Sequence, residues 1–245
     1  MSRGTLARIN SAAANHNCQV IQKKYPDTKI WAVLKANAYG HGAKKLAPKL
    51  NNCDGFAVAT LDEGLDLRQV NTDKPIILLE GCLSVLQTKK ALDNQLTLAL
   101  HCVEQIEDLE KIAQSNSYSN QTVWLKVDTG MHRLGLPLED LIQCFDRLEK
   151  IDWIDNIGVM THFACADDVN DGFTQLQIDR FNEYLPKKCT LISMANSAAI
   201  FNFKDTIKDW VRPGIAMYGA SPIANINAKD LGLLPVMALN APIIA

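Results

Sequence analysis

The sequence has no long apolar run, no Cys-x-x-Cys pair, no Gly-x-Gly-x-x-Gly and no marked excess of either charge. No window approaches the roughly 18 apolar residues of a membrane-spanning helix. Residues 1–17 carry Arg3, Arg8 and His16 without a continuous apolar core, which is not the pattern of a secretory signal. With 25 Lys+Arg against 27 Asp+Glu, the net charge of −2 offers no electrostatic footprint for nucleic acid or an anionic membrane. The seven cysteines are odd in number and widely spaced, which argues against a disulfide framework and a structural zinc site. Most lie in apolar segments, where a free cysteine acts as a small hydrophobe. The expected location is cytoplasmic.

What is present is a chain of 245 residues, 47% hydrophobic, long enough for one α/β barrel or two ordinary domains. Eight short apolar runs punctuate it, at 30–36, 55–61, 75–81, 96–101, 122–128, 157–162, 189–195 and 210–219. Segments of helical period lie between them. In 103–115, Val103, Ile106, Leu109 and Ile112 recur every third residue, and in 138–151 Leu141, Ile142, Phe145 and Leu148 share a face. Strands apolar on both faces, each followed by a helix, predict a parallel sheet covered by helices. Eight such units in about 200 residues fit a (β/α)8 TIM-type barrel. An open sheet stays possible, because spacing does not show closure. The missing glycine fingerprint counts against a dinucleotide fold.

The ends do not belong to the eight-fold count. Residues 5–9 (TLARI) read as a strand before the first helix. Beyond a linker at 225–230, residues 233–245 (LLPVMALNAPIIA) read as an apolar strand without a partner, an exposed edge. We therefore expect a barrel over 1–228, with 229–245 forming a linker and the first strand of a further domain. The alternative is that both tails pack on the barrel.

In a barrel of this kind the chemistry sits at the C-terminal ends of the strands. The first strand delivers Lys35 just before Asn37, Tyr39 and Gly40. Burial lowers a lysine pKa, and the neutral amine forms Schiff bases. A lysine reaching out to solvent is the plainer alternative. The fifth ends in Lys126-Val127-Asp128 and leads to Arg133, where Lys126 and Asp128 share a face and can form a rim ion pair. The sixth ends in His162, a core histidine or a site residue. After the seventh come Asn196 and Ser197, an ordinary helix cap or an anion corner. The eighth supplies Arg212, then Gly214 and Ile215, where glycine lets backbone approach a ligand. No carboxylate pair and no metal-ligand spacing stand out. These residues reach a barrel enzyme with a possible lysine–carbonyl adduct and a phosphate; they do not reach its substrate.

Residues 32–42 (AVLKANAYGHG) closely resemble the pyridoxal-phosphate segment of alanine racemases, and 125–135 (LKVDTGMHRLG) resemble that family's second signature. THFA at 161–164, ANSA at 195–198 and RPGIAMYG at 212–219 match further blocks in the same order. The resemblance implies a pyridoxal 5′-phosphate enzyme interconverting L- and D-alanine, which supplies D-alanine for peptidoglycan. Lys35 would carry the cofactor and shuttle a proton at the substrate Cα. Tyr39 and Ser197, with backbone near Gly214 and Ile215, would hold the phosphate, and Asn196 would lie beside it. Arg212 would face the pyridine nitrogen, backed by His162. Arg133 would bond the cofactor's phenolic oxygen and lie close to substrate. Lys126 matches a position that is carbamylated in some members.

In that family a β-rich domain follows the barrel and donates a tyrosine to the other subunit of a homodimer. The tyrosines here (Tyr25, Tyr39, Tyr118, Tyr184 and Tyr218) all lie in the barrel region, so this chain is expected to be the cofactor-binding half, nearly inactive alone. A pyridoxal-phosphate barrel without racemase activity, a broad-specificity racemase and a Schiff-base aldolase are the rival readings.

Overall fold

Strand burial decides the architecture. The computed structural model describes residues 4–70, 73–115 and 118–243. Its strands are β1 (Leu6–Ile9), β2 (Lys29–Val33), β3 (Gly55–Val58), β4 (Ile76–Leu78), β5 (Leu96–Leu100), β6 (Gln121–Lys126), β7 (Ile154–Met160), β8 (Leu191–Ser193), β9 (Trp210–Val211) and β10 (Met237–Asn240). β2 to β9 pair in parallel in the order β8-β7-β6-β5-β4-β3-β2-β9. The seam between β8 and β9 closes through Arg212 N–H to the Ala195 carbonyl at 3.0 Å and the Ser193 hydroxyl to the Trp210 carbonyl at 2.8 Å. The eight predicted runs are thus the eight staves of a (β/α)8 barrel.

The period of two along β2 sorts its residues between two cores. Ile30, Ala32 and Leu34 join the layer under the helices, whereas Trp31 and Val33 point inward with Ala57, Ile77, Ala99, Trp124, Met160 and Trp210. Two glycines make room for the indoles. A Cβ on Gly55 would lie 2.3 Å from Trp31, and one on Gly158 would lie 2.5 Å from Trp124.

The outer helices are α1 (Ser11–Lys24), α2 (Leu61–Arg68), α3 (Val85–Asp93), α4 (Val103–Ala113), α5 (Leu141–Leu148), α6 (Phe173–Tyr184) and the short α7 (Ser197–Asn202). α4 buries Ile106, Leu109 and Ile112, three of the residues whose spacing marked it. No described helix is long and apolar enough to cross a membrane. Among the described residues, no group of three His, Cys, Asp or Glu is placed to hold a metal.

The tails depart from expectation. Met237–Asn240 is not unpartnered: it pairs antiparallel with Leu6–Ile9, from Leu6 opposite Asn240 to Ile9 opposite Met237. The strand expected in 229–245 is thus paired with the strand read at 5–9, in a ladder that joins both ends of the chain. Its register follows from α1: Asn10 N–H bonds the Val236 carbonyl at 2.8 Å, and Asn17 binds the backbone of Leu234 and Met217. All eight residues of this ladder are exposed. The last residues of the expected strand, 244 and 245, lie outside the described part.

Candidate active site

Of the residues singled out at strand ends, the ten to which the resemblance gives roles line one cavity of about 770 Å3 at the C-terminal mouth of the barrel, whereas Asn37, Gly40 and Asp128 do not. Lys35, Tyr39, Lys126, Arg133 and His162 come from the first six strand ends and their loops. Asn196, Ser197, Arg212, Gly214 and Ile215 complete the wall.

Lys35 is half-buried where β2 stops, and the chain then does something unusual. Ala36, Asn37, Ala38 and Tyr39 all have positive φ, between 48° and 56°. Each non-glycine residue in that left-handed conformation costs about 1–2 kcal/mol. The turn is held from outside. The Glu63 carboxylate accepts the Ala36 N–H at 2.6 Å and the Ala59 N–H at 2.8 Å, while Asn37 Oδ1 accepts Ala43 N–H at 2.9 Å. Glu63 itself is set by a capping box with Thr60 at the start of α2. Beneath, the Tyr218 hydroxyl donates to the Val33 carbonyl at 2.8 Å, and the Tyr39 ring meets Tyr218 edge-on. Burial raises the Tyr39 phenol above its usual range, against the pull of Arg133.

Arg212 is 5% exposed and closely bonded. One terminal nitrogen donates to the Ser193 carbonyl and hydroxyl, and the other to the Thr161 and Met194 carbonyls. The Nε–H donates to no protein acceptor among the described residues. Burial lowers the guanidinium pKa to about 10, so it stays charged at neutral pH.

The rim ion pair between Lys126 and Asp128 is not formed. Asp128 instead accepts the amides of Gly130 at 2.9 Å and His132 at 3.0 Å, with the His132 ring at 3.1 Å. Although burial works against the charged carboxylate, these donors hold its pKa below the usual range. Gly135 closes the loop at φ +156°, where a Cβ would come within 2.4 Å of the Asp128 nitrogen. Leu136 N–H returns to the Lys126 carbonyl at 2.8 Å, and Arg133 is displayed on the loop between.

Lys126, 8% exposed, has its pKa lowered to about 8, first by burial and then by Arg212, Arg133 and Lys35, with Glu80 opposing. Burial and the same cationic surroundings push the His162 imidazole well below its ordinary value, so it is neutral. Asn196 does cap α7, accepting Ala199 N–H at 3.0 Å, and it also lines the cavity. Ser197 Oγ accepts the amides of Gly214 at 2.8 Å and Ala216 at 3.3 Å, which leaves its own hydrogen to donate. Ile215 begins a 3-10 turn (Ile215–Tyr218), whose first N–H the turn cannot use.

Sequence reasoning missed Glu63, Glu80 and Asp167. Glu80 and Asp167 line the cavity. The Thr60-x-x-Glu63 capping box is a readable signal, but its second duty at Ala36 crosses between elements. Glu80 precedes Gly81, held in its turn by the buried Gln105 amide on the carbonyls of Glu80 and Cys82.

A family model for the N-terminal domain of alanine racemase matches residues 9–222. The alanine racemase of Legionella pneumophila (strain Lens) is 42% identical over 247 residues, covering all of this chain and 68% of the relative. That of Aeromonas hydrophila is 41% identical over 99% of this chain and 68% of its own length. Among solved structures, the biosynthetic alanine racemase of Pseudomonas aeruginosa superposes with a TM-score of 0.90 at 37% identity, over 96% of this chain and 65% of that one. The alanine racemase of Acinetobacter baumannii gives 0.91 at 35% identity, over 100% and 72%. The chain thus spans about two thirds of the length of these proteins. With a family model matching 9–222, relatives about 40% identical over the whole chain and a superposable fold, the chain belongs to the alanine racemase family.

Proposed function

We propose that this chain is the cofactor-binding half of a racemase that interconverts L- and D-alanine, with pyridoxal 5′-phosphate held on Lys35. The observation that carries the reading is Arg212. Its two terminal nitrogens are committed to the barrel wall, and its Nε–H is left for an outside acceptor of the kind a pyridine nitrogen provides. With a pKa of about 10, the guanidinium keeps its proton at neutral pH and does not hand it to a pyridine.

The remaining residues fit the same group. A Cβ on Gly214 would lie 3.4 Å from the Tyr39 hydroxyl and 3.9 Å from Ser197 Oγ, so glycine keeps open a corner bordered by two hydroxyls and the Ile215 amide. That corner suits a phosphate. Pyridoxal phosphate, when bound, supplies the electron sink that acidifies the Cα–H of an amino acid, a weaker sink with its ring nitrogen unprotonated. By holding that nitrogen unprotonated, Arg212 disfavours transamination.

In this reading the Lys35 amine takes and returns the proton at the alanine Cα on one face. Arg133 bonds the phenolic oxygen and lies beside the substrate, with His162 and Asn196 flanking the site. The lowered pKa of Lys126 leaves a fraction of neutral amine, which can add carbon dioxide to give a carbamate and a proton. Racemisation needs an acid or base on each face of Cα. We assign the second face to a tyrosine of a β domain that follows residues 229–245, donated across a cytoplasmic homodimer making D-alanine for peptidoglycan. The exposed β1–β10 ladder supports such a continuation, as a surface for further strands.

The test is an absorption spectrum after incubation with pyridoxal phosphate, followed by borohydride reduction and peptide mass mapping. A yellow species reduced onto Lys35 is expected. A colourless protein with no Lys35 adduct would overturn the assignment.

A further inference from the structure

Beneath the mouth lies a buried polar chain to which no function has been assigned above. Gln177 on α6 is 0% exposed, and Thr129 and Thr161 are each 1% exposed. Gln177 Oε1 accepts the Ala164 N–H at 2.9 Å. Its Nε2 donates to Thr129 Oγ1 at 3.0 Å and to the His162 carbonyl at 3.2 Å. The two threonine hydroxyls are 2.8 Å apart, and Thr161 Oγ1 donates to the Val127 carbonyl at 3.1 Å.

A hydroxyl has one hydrogen. Thr161 spends its hydrogen on Val127, so Thr129 is the donor between the two threonines, and Gln177 is the donor to Thr129. The chain runs one way only, from Gln177 through Thr129 and Thr161 to Val127. Flipping the amide would set its oxygen against the His162 carbonyl and its NH2 against the Ala164 N–H.

The ends of this chain are the segments that carry the site. Val127 follows Lys126, Thr129 opens the loop that bears Arg133, and Thr161 precedes His162. The Thr161 carbonyl accepts from one terminal nitrogen of Arg212, while the Thr161 N–H bonds the Ser193 carbonyl, which accepts from the other terminal nitrogen. We infer that Gln177, Thr129 and Thr161 are positioning residues, which orient the Thr161 carbonyl and thereby set the angle at which Arg212 presents its Nε–H. The catalytic consequence rests on the function proposed above; the positioning itself does not. Unsatisfied buried polar groups in such a network are costly, which gives the arrangement its rigidity.

Two isosteric variants, Thr129→Val and Gln177→Met, cut the chain, and Thr129→Ser retains the hydroxyl. The first readout needs no cofactor: solvent exchange of the Arg212 terminal N–H protons, followed by NMR in the chain itself. Exchange should quicken about tenfold in Thr129→Val and Gln177→Met and return to the parent rate in Thr129→Ser. The second uses the full-length holoenzyme. Its transamination-to-racemisation ratio should rise about tenfold in the cut variants, with the alanine KM changed less than about twofold, and the 15N resonance of a labelled ring nitrogen should move. Parent-like exchange in both cut variants overturns the inference, as does a Thr129→Ser that behaves like Thr129→Val. Altered exchange beside a parent protein that forms no Lys35 adduct sinks the functional reading and leaves the positioning role standing.

Discussion

At the C-terminal ends of its strands the barrel gathers Lys35, Lys126, Arg133, His162 and Arg212 around one cavity. At the N-terminal ends the same strands border a second cavity of about 580 Å3, lined by Trp31, Trp124, Trp210, neutral amides and hydroxyls, and a single charge on Lys29. Trp31 stacks on Trp210 with centroids 4.1 Å apart, and the indole N–H groups of Trp31 and Trp124 are buried without an acceptor among the described residues. The two ends divide the labour. The aromatic layer packs against Val33 and Met160, which also line the mouth, and so supplies the apolar backing against which the cations are desolvated. The packed aromatic layer lies at one end, and chemistry at the other exploits the apolar environment it helps create.

The comparison breaks if changes at one end are felt as the wrong kind of effect. Lys35→Ala should abolish the borohydride-trapped adduct completely while leaving the unfolding curve near that of the parent. A residual adduct at another lysine, seen by peptide mapping, would mean that the mouth holds a second competent amine. Trp124→Ala should do the reverse, lowering stability in urea by about 3–5 kcal/mol while the surviving folded protein still forms the Lys35 adduct. A loss below about 1 kcal/mol would show that the aromatic layer is not the main support.

Lys126 sharpens the division, because its pKa is lowered to about 8 from an ordinary 10.5. The unfolded chain therefore binds more protons than the folded one between those values, and stability rises with pH across that window. Below about pH 8 the full cost of burying the ammonium is present, on the order of 3 kcal/mol by the size of the shift. Lys126→Met should be the more stable protein at pH 7, with the advantage shrinking toward pH 10. Paired urea titrations at both pH values check it. An advantage independent of pH would mean that the side chain no longer carries a titrating ammonium, as after carbamylation, which replaces it with an anionic carbamate.

How much of this was legible in the sequence follows from which contacts are local. The strands could be read because a barrel stave is apolar on both faces, and Gly55 and Gly158 sit where indoles need space. Boundaries were less legible: β9 is only Trp210–Val211, and the rest of that run becomes the 3-10 turn that presents Ile215. The mouth residues were legible by position, since parallel strands aim their C-terminal ends together. What could not be read depends on distant partners. Asp128 faces the same side as Lys126 in strand periodicity, yet the chain turns after Val127 and its carboxylate caps its own loop. Gln177 looks like one polar residue of an amphipathic helix until α6 brings it against Thr129. The partner of β10 lies more than 200 residues earlier, where only the folded barrel brings the two ends together.

The left-handed turn beside Lys35 has a stereochemical consequence. For residues 36–39 the backbone follows the mirror image of the ordinary helix, the handedness that D-amino acids prefer. Ala36 is exposed, so a semisynthetic chain with D-alanine there would relieve about 1–2 kcal/mol without a change in composition. In the natural chain this turn cannot relax to the common hand without pulling Ala36 from Glu63 and Ala43 from Asn37. Lys35 is therefore moored to a segment with no low-energy alternative close by, and its amine is anchored by chirality as well as by contact.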